Sequence, residues 1–200
     1  KHRRPSDSAR LFFLMKAVWK SIWKRQGTFL RTPMKCGEHF PCTFILKAAC
    51  GTRKKAQEKL AKITVKIGYP DKWKDYSTLV FKDDDTLYDL VEKMNDWGYK
   101  DTLKKVGKPV DKTEWGMSAN TVNAYYSPTG NEIVFPAGIL QPPFYDAKNS
   151  EAAANFGAIG TVIAHEITHG FDVSGAQFDG DGNVKNWWTA QDKQKFDTAT

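Results

Sequence analysis

Val162-Ile163-Ala164-His165-Glu166-Ile167-Thr168-His169-Gly170-Phe171-Asp172 is the stretch whose reading decides the fold of this chain. It lies in a run from Glu151 to about Gly170 whose interior is mostly Ala, Ile, Val and Gly, which predicts one long helix capped by Asn149 or Ser150. On that helix His165 and His169, four residues apart, fall about 40° from each other, so both imidazoles can address one zinc ion. Glu166 lies about 100° round from His165. It is too constrained there for an ordinary third ligand and well placed to take a proton from water at the metal. Phe156, Ile163 and Ile167 point the other way and give the helix a core side. Asp172 either accepts the second N–H of a zinc histidine or closes the turn after Gly170.

Two histidines need a third ligand. In the arrangement H-E-x-x-H-x-x-G-x-x-H it would stand at 175, which is Gly. The alternative is a Glu on a later helix, but the residues after His169 contain Asp172, Asp179, Asp181, Asp192 and Asp197 and no Glu. The third ligand is therefore expected to be missing from this chain.

Upstream, Val122-Asn123-Ala124-Tyr125-Tyr126 and Glu132-Ile133-Val134-Phe135 are β-prone runs separated by Ser-Pro-Thr-Gly-Asn, which predicts a hairpin ended by Gln141-Pro142-Pro143. Thr52 is an expected N-cap for a helix through Leu60, and Gly68, Pro70 and Asp71 then impose turns. Leu87, Leu90, Val91 and Met94 recur at helical spacing after Asp83-Asp84-Asp85 and predict a packed amphipathic helix. Lys104 to Trp115 reads as a connector. After Trp187-Trp188, Thr189 is an expected N-cap with Asp192 as its partner. Asp179-Gly180-Asp181-Gly182-Asn183 begins like a calcium loop, but Val184 and Ala190 stand where Gly and Glu are required, so it reads as a turn.

The chain has 200 residues, 40% hydrophobic and 26% charged, which excludes a disordered or disulfide-built class. Its net charge of +7 is concentrated: residues 1–51 hold 11 Lys+Arg against 2 Asp+Glu, and residues 52–200 hold 19 against 21. All three cysteines, Cys36, Cys42 and Cys50, lie in the same first quarter. Cys36-x2-His39-x2-Cys42-x7-Cys50 has zinc-binding residue types at a spacing that matches no common finger. The basic charges with Trp19, Trp23 and Phe29 make single-stranded nucleic-acid binding an alternative for 1–51, although a misread segment accounts for the composition more simply and no nucleic-acid partner is expected. Leu11 to Trp19 is broken by Lys16 and lacks a cleavage site, so it reads poorly as a signal peptide, and no apolar run is long enough for a membrane span.

The quoted motif, with Val122 to Tyr126, Glu132-Ile133-Val134-Phe135-Pro136-Ala137, Trp187-Trp188-Thr189 and Ile67-Gly68-Tyr69-Pro70-Asp71-Lys72-Trp73 in the same order, resembles the neprilysin and endothelin-converting-enzyme family of zinc metallopeptidases (M13, gluzincins). The resemblance runs from about Thr52 to Thr200. It implies an α+β, mainly α-helical, zincin-like peptidase fragment with a small hairpin or edge strand and an active-site helix. It further implies Zn2+ on His165 and His169, Glu166 as the catalytic glutamate, Asp172 as the carboxylate behind a zinc histidine, and Asn123 and Ala124 as an edge-strand motif that holds the main chain of an oligopeptide substrate. The family's zinc Glu and oxyanion-stabilising His and Arg would lie past Thr200. The organisation expected is 1–51 as a basic segment unlike the family, 52–118 as the end of a helical N-terminal region, and 119–200 as the start of the catalytic domain. A catalytically inactive fragment that retains the peptide groove is the other reading. The absence of cysteine after residue 50 points to a bacterial-type soluble protein, cytoplasmic or secreted, while the family also includes membrane-anchored members.

Overall fold

The computed structural model describes residues 50–199, so the readings of the basic segment before Cys50 lie outside the described residues. Within them, residues up to Tyr69 and from Met117 onward form one compact unit, and Pro70–Gly116 form another. This grouping differs from the sequence division at 118/119. A strand that the sequence reading passed over, β1 (Thr64–Gly68), pairs in parallel with the second strand of the expected hairpin.

In the first unit, α1 (Cys50–Ala61) leads into β1. The hairpin is β2 (Tyr125–Ser127) and β3 (Glu132–Pro136), antiparallel with Tyr126 opposite Ile133. The strand order β1-β3-β2 buries β3 in the middle and leaves β2 at an edge. Asn123 and Ala124 thus stand just before the edge strand rather than inside it. The tight connection needs a residue in the left-handed region, and Asn131 supplies it at φ 47°. Lys66 Nζ sits 2.9 Å from the Glu132 carboxylate, an ion pair nearly closed to solvent.

The expected single helix over 151–170 is two: α3 (Ala152–Gly157) and α4 (Ile159–His169). At the joint Ala158 adopts φ −91°, ψ −94°, and the Ile159 N–H donates to the Phe144 carbonyl at 3.0 Å. That outside acceptor takes the N–H that a continuous helix would use internally. Glu151 holds the N-cap position of α3 without a side-chain cap bond, so neither Asn149 nor Ser150 caps it. Phe156 is 37% exposed on α3, whereas Ile163 and Ile167 are buried as expected. Ile159, Ile163 and Ile167 pack with Ile133, Phe135, Ile139 and Tyr145, each large side chain contributing roughly 1.5–3 kcal/mol by leaving water. A second cluster joins Ala56, Phe171, Ala176, Trp187, Trp188 and Phe196, and Leu60 touches both.

The last helix, α5 (Ala190–Ala199), starts as predicted: Thr189 Oγ1 accepts the Asp192 N–H at 3.2 Å. Thr52 caps nothing. It is buried inside α1, where its hydroxyl donates to Asp192 at 2.6 Å and accepts the Thr189 N–H at 3.1 Å, tying the two helices together. Asp179 accepts from Asp181 and Asn183 N–H, which makes 179–183 a turn.

In the second unit, α2 (Leu87–Leu103) opens with a capping box in which Thr86 and Asp89 exchange side-chain and backbone bonds. No residue of α2 is buried. Leu87, Val91 and Met94 are exposed, so the packing expected of this apolar stripe is not made among the described residues. Among those residues, no helix is long and apolar enough to cross a membrane.

The Tyr126 phenol gives the first unit a signature at high pH. Burial pushes its pKa far above the usual tyrosine range, assisted by the Asp172 charge, while its O–H donates to Asn131 at 2.8 Å. An unfolded tyrosine loses its proton near pH 10, and the folded one keeps it. The unfolded state therefore binds fewer protons above pH 10, and stability is expected to fall there by about 1.4 kcal/mol per pH unit from this group. Denaturant unfolding between pH 9 and pH 11 should show that slope, and Tyr126→Phe should remove one proton's share of it; an unchanged slope in the variant sinks the assignment.

Candidate metal and peptide site

One face of α4 and the loop that follows it carry the chemistry. His165 and His169 project from the last turn of the helix with ring centroids 4.6 Å apart and planes nearly perpendicular. Their Nε2 atoms approach to 3.0 Å. Two nitrogens bound about 2.0–2.1 Å from one tetrahedral zinc lie roughly 3.3 Å apart, so the pair is close to the separation a shared ion requires. His169 Nδ1 is 2.8 Å from Asp172 Oδ2, and that bond fixes the ring so that Nε2 keeps its lone pair. Asp172 is itself held: its Oδ1 accepts the N–H groups of Ser174 and Gly175 at 3.0 and 2.7 Å. Asp172 thus meets the His169 ring with one oxygen and closes the turn after Gly170 with the other.

Glu166 is 5% exposed, although it stands one residue from an exposed histidine. Burial pushes its carboxyl pKa up, opposed by His169, His165 and a hydrogen bond from the Tyr126 N–H of β2. The edge strand and the helix are thereby joined at the carboxylate. A cavity of about 410 Å³ opens over these groups, lined by His165, Glu166, His169 and Asp172 on one side and by Asn123, Ala124 and Tyr126 on the other. Asn123 is exposed and its Oδ1 accepts the Ala124 N–H at 2.9 Å, while Ala124 is buried in the core. All six residues singled out in the sequence thus border one cavity. Among the described residues, no three His, Cys, Asp or Glu side chains cluster as a complete metal site.

Three further residues shape the site and were not singled out by sequence. Lys59 in α1 is 2% exposed and donates to the carbonyls of Gly170, Gly175 and Phe178 at 2.6, 2.6 and 2.8 Å. Asn131 Nδ2 donates to the carbonyls of Lys59 and Gly180 at 3.1 and 3.0 Å. Gly175 lies where no side chain fits. Lys59 gave no signal because it stands among Lys54, Lys55 and Lys62 in an ordinary helix-forming run; its partners are more than a hundred residues away.

The family model "Peptidase family M13" matches residues 123–200. The chain is 48% identical over 146 residues to a neutral endopeptidase of Lactococcus lactis, covering 73% of this chain and 23% of that protein. It is 44% identical over 153 residues to human neprilysin, covering 72% of this chain and 20% of that protein. The crystal structure of the Mycobacterium tuberculosis zinc metalloprotease Zmp1 with an inhibitor superposes at a TM-score of 0.78 with 42% identity, over 98% of this chain and 27% of that one. The chain thus spans about a quarter of the length of its relatives, with the mixed helical architecture and small sheet of their solved structures. A family-model match over the very residues that border the cavity, with relatives this similar in bacteria and mammals, has one meaning: the chain belongs to peptidase family M13, the neprilysin family of zinc metallopeptidases.

Proposed function

We propose that this chain supplies part of the active site of a zinc metalloendopeptidase that hydrolyses peptide bonds of small peptides. The observation that carries the reading is the 3.0 Å convergence of His165 and His169 Nε2 beside a buried Glu166, with Asp172 bonded to the far nitrogen of His169. His165 and His169 hold the metal, and a third ligand comes from outside the described residues. A zinc ion held there would lower the pKa of a water towards ~7 and would polarise the scissile carbonyl.

The chain's own residues do the rest. Glu166 accepts the proton of the attacking water as the water oxygen bonds to the scissile carbon, and then delivers that proton to the amine nitrogen as the C–N bond breaks, so no covalent enzyme intermediate arises. Its position supports this role: the carboxylate is buried beside the two histidines and lines the same cavity. Asn123 and Ala124, just before the edge strand β2, hold the main chain of an extended oligopeptide by β-augmentation.

For the 200-residue chain alone, weak zinc binding and little or no peptide hydrolysis are expected, since one ligand and the oxyanion donors are not among the described residues. Elemental analysis after dialysis against low-micromolar zinc tests this. Zinc retained by the chain and lost in His169→Ala supports the reading. Zinc retained to the same level in His169→Ala overturns the ligand assignment, and robust hydrolysis by the 200-residue chain that is lost in Glu166→Gln overturns the expected inactivity.

A further inference from the structure

We infer that Lys59 is a positioning residue for this site: its ammonium holds the 170–178 segment in the shape that sets the Asp172 carboxylate against His169 Nδ1. The inference rests on the zinc-site reading above and concerns a residue in a different helix, far away in sequence.

The geometry is specific to a cation with three donors. Lys59 Nζ reaches three carbonyl oxygens, of Gly170, Gly175 and Phe178, all at 2.8 Å or less, so every N–H of an ammonium has an acceptor. Three carbonyl dipoles aimed at one buried point repel one another unless a positive charge lies among them. Among the described residues, no carboxylate is bonded to Lys59. Asp172 and Asp179 act on it through the field alone, and the rings of Tyr126, Phe171 and Trp187 stand 5.5–5.9 Å from the nitrogen with their negative faces available. Burial pushes the amine pKa down to about 8, with the two aspartates pulling it back, so the group remains mostly charged at neutral pH.

The carbonyls it binds are not arbitrary ones. Gly170 follows His169 directly. Gly175 gives its N–H to Asp172 Oδ1 and its carbonyl to Lys59, so one residue relays the lysine to the carboxylate. With Oδ1 so fixed, Oδ2 is left for His169. An apolar side chain at 59 could fill the same space, but it would leave the three carbonyls without a donor. Orienting a turn by its carbonyls is what the charge adds.

The experiment uses the 200-residue chain labelled with 15N-histidine, whose four histidines are separated by comparison with His169→Ala. Long-range 1H–15N correlation at a pH where imidazole is neutral reads the tautomer of His169, and chelator competition reads zinc affinity. The wild type is expected to carry its proton on Nδ1. In Lys59→Met the Nδ1–H population should fall and zinc affinity should drop about 10-fold or more. In an Asp172→Ala background Lys59→Met should cost no further zinc affinity, because its route to the metal is gone. A folded Lys59→Met that keeps the tautomer and binds zinc within about twofold of wild type overturns the inference. A wild type without the Nδ1–H tautomer instead overturns the site reading itself. Should Lys59→Met not fold, Lys59→Gln, which keeps two N–H donors, is read by the same criteria. If neither folds, Lys59 holds the fold as a whole and the positioning role is refuted.

Discussion

Glu166→Gln is expected to lower peptide turnover by about 10²–10⁴-fold, in a polypeptide that supplies the third ligand, while leaving zinc content at the wild-type level. The amide has the size of the carboxylate, so a side chain buried to 5% exposure keeps its packing, and its oxygen can still accept the Tyr126 N–H. What it cannot do is take a proton from water. His165 and His169 keep their nitrogens, and Asp172 still orients the second ring. The loss should therefore fall on kcat and leave KM near its wild-type value, because in the proposed site Glu166 acts on the attacking water while the peptide is held by other residues, Asn123 and Ala124. The acid limb of the pH profile should vanish as well, because in the wild type activity rises as Glu166 loses its proton and an amide has none to lose. Turnover within tenfold of wild type, or zinc lost along with activity, would refute the role assigned to Glu166.

The parts of this site that could be read in the sequence are those whose partners are close in the chain. His165 and His169 are one helical turn apart, and Asp172 is three residues further, so helical geometry alone gathers them. The hairpin was legible because the turn between the strands is built from Ser, Pro, Gly and Asn, and the Thr189 cap because Asp192 lies three residues on. What stayed hidden was decided at long range. The break at Ala158 depends on the Phe144 carbonyl, and nothing in the apolar run itself except Gly157 hints at it. β1 exists because β3 accepts it in parallel more than sixty residues later, and Thr52 left its expected cap role for Asp192, 140 residues away. Lys59 is the sharpest case, since three tertiary carbonyls turn a surface-type residue into a buried one.

Gly175→Ala should damage both stability and metal binding, while Gly157→Ala, a few turns upstream, should not. A Cβ on Gly175 would fall 1.9 Å from the His169 carbonyl oxygen and 2.9 Å from the Gly170 carbonyl carbon. Both obstacles are backbone, so no side chain can swing aside. The 170–175 turn must open, and opening it pulls apart the Gly175 N–H bond to Asp172 and the Lys59 bond to the Gly175 carbonyl. Hydrogen bonds to charged groups are worth about 1.5–3 kcal/mol each, so the loss of two should cost about 3 kcal/mol or more. Zinc affinity should fall with stability, because Asp172 would no longer be held against His169. At Gly157 a Cβ meets nothing within 4 Å, and the residue ends a helix where Ala is preferred by up to about 1 kcal/mol. Denaturant midpoints and zinc titrations of the two variants side by side make the comparison. If Gly175→Ala unfolds within about 0.5 kcal/mol of wild type, the range of an ordinary surface substitution, the turn has slack that this packing denies it. A large loss at Gly175 with none at Gly157 means that the absence of a single Cβ lets the backbone fold back tightly enough to bring Asp172 to the histidine.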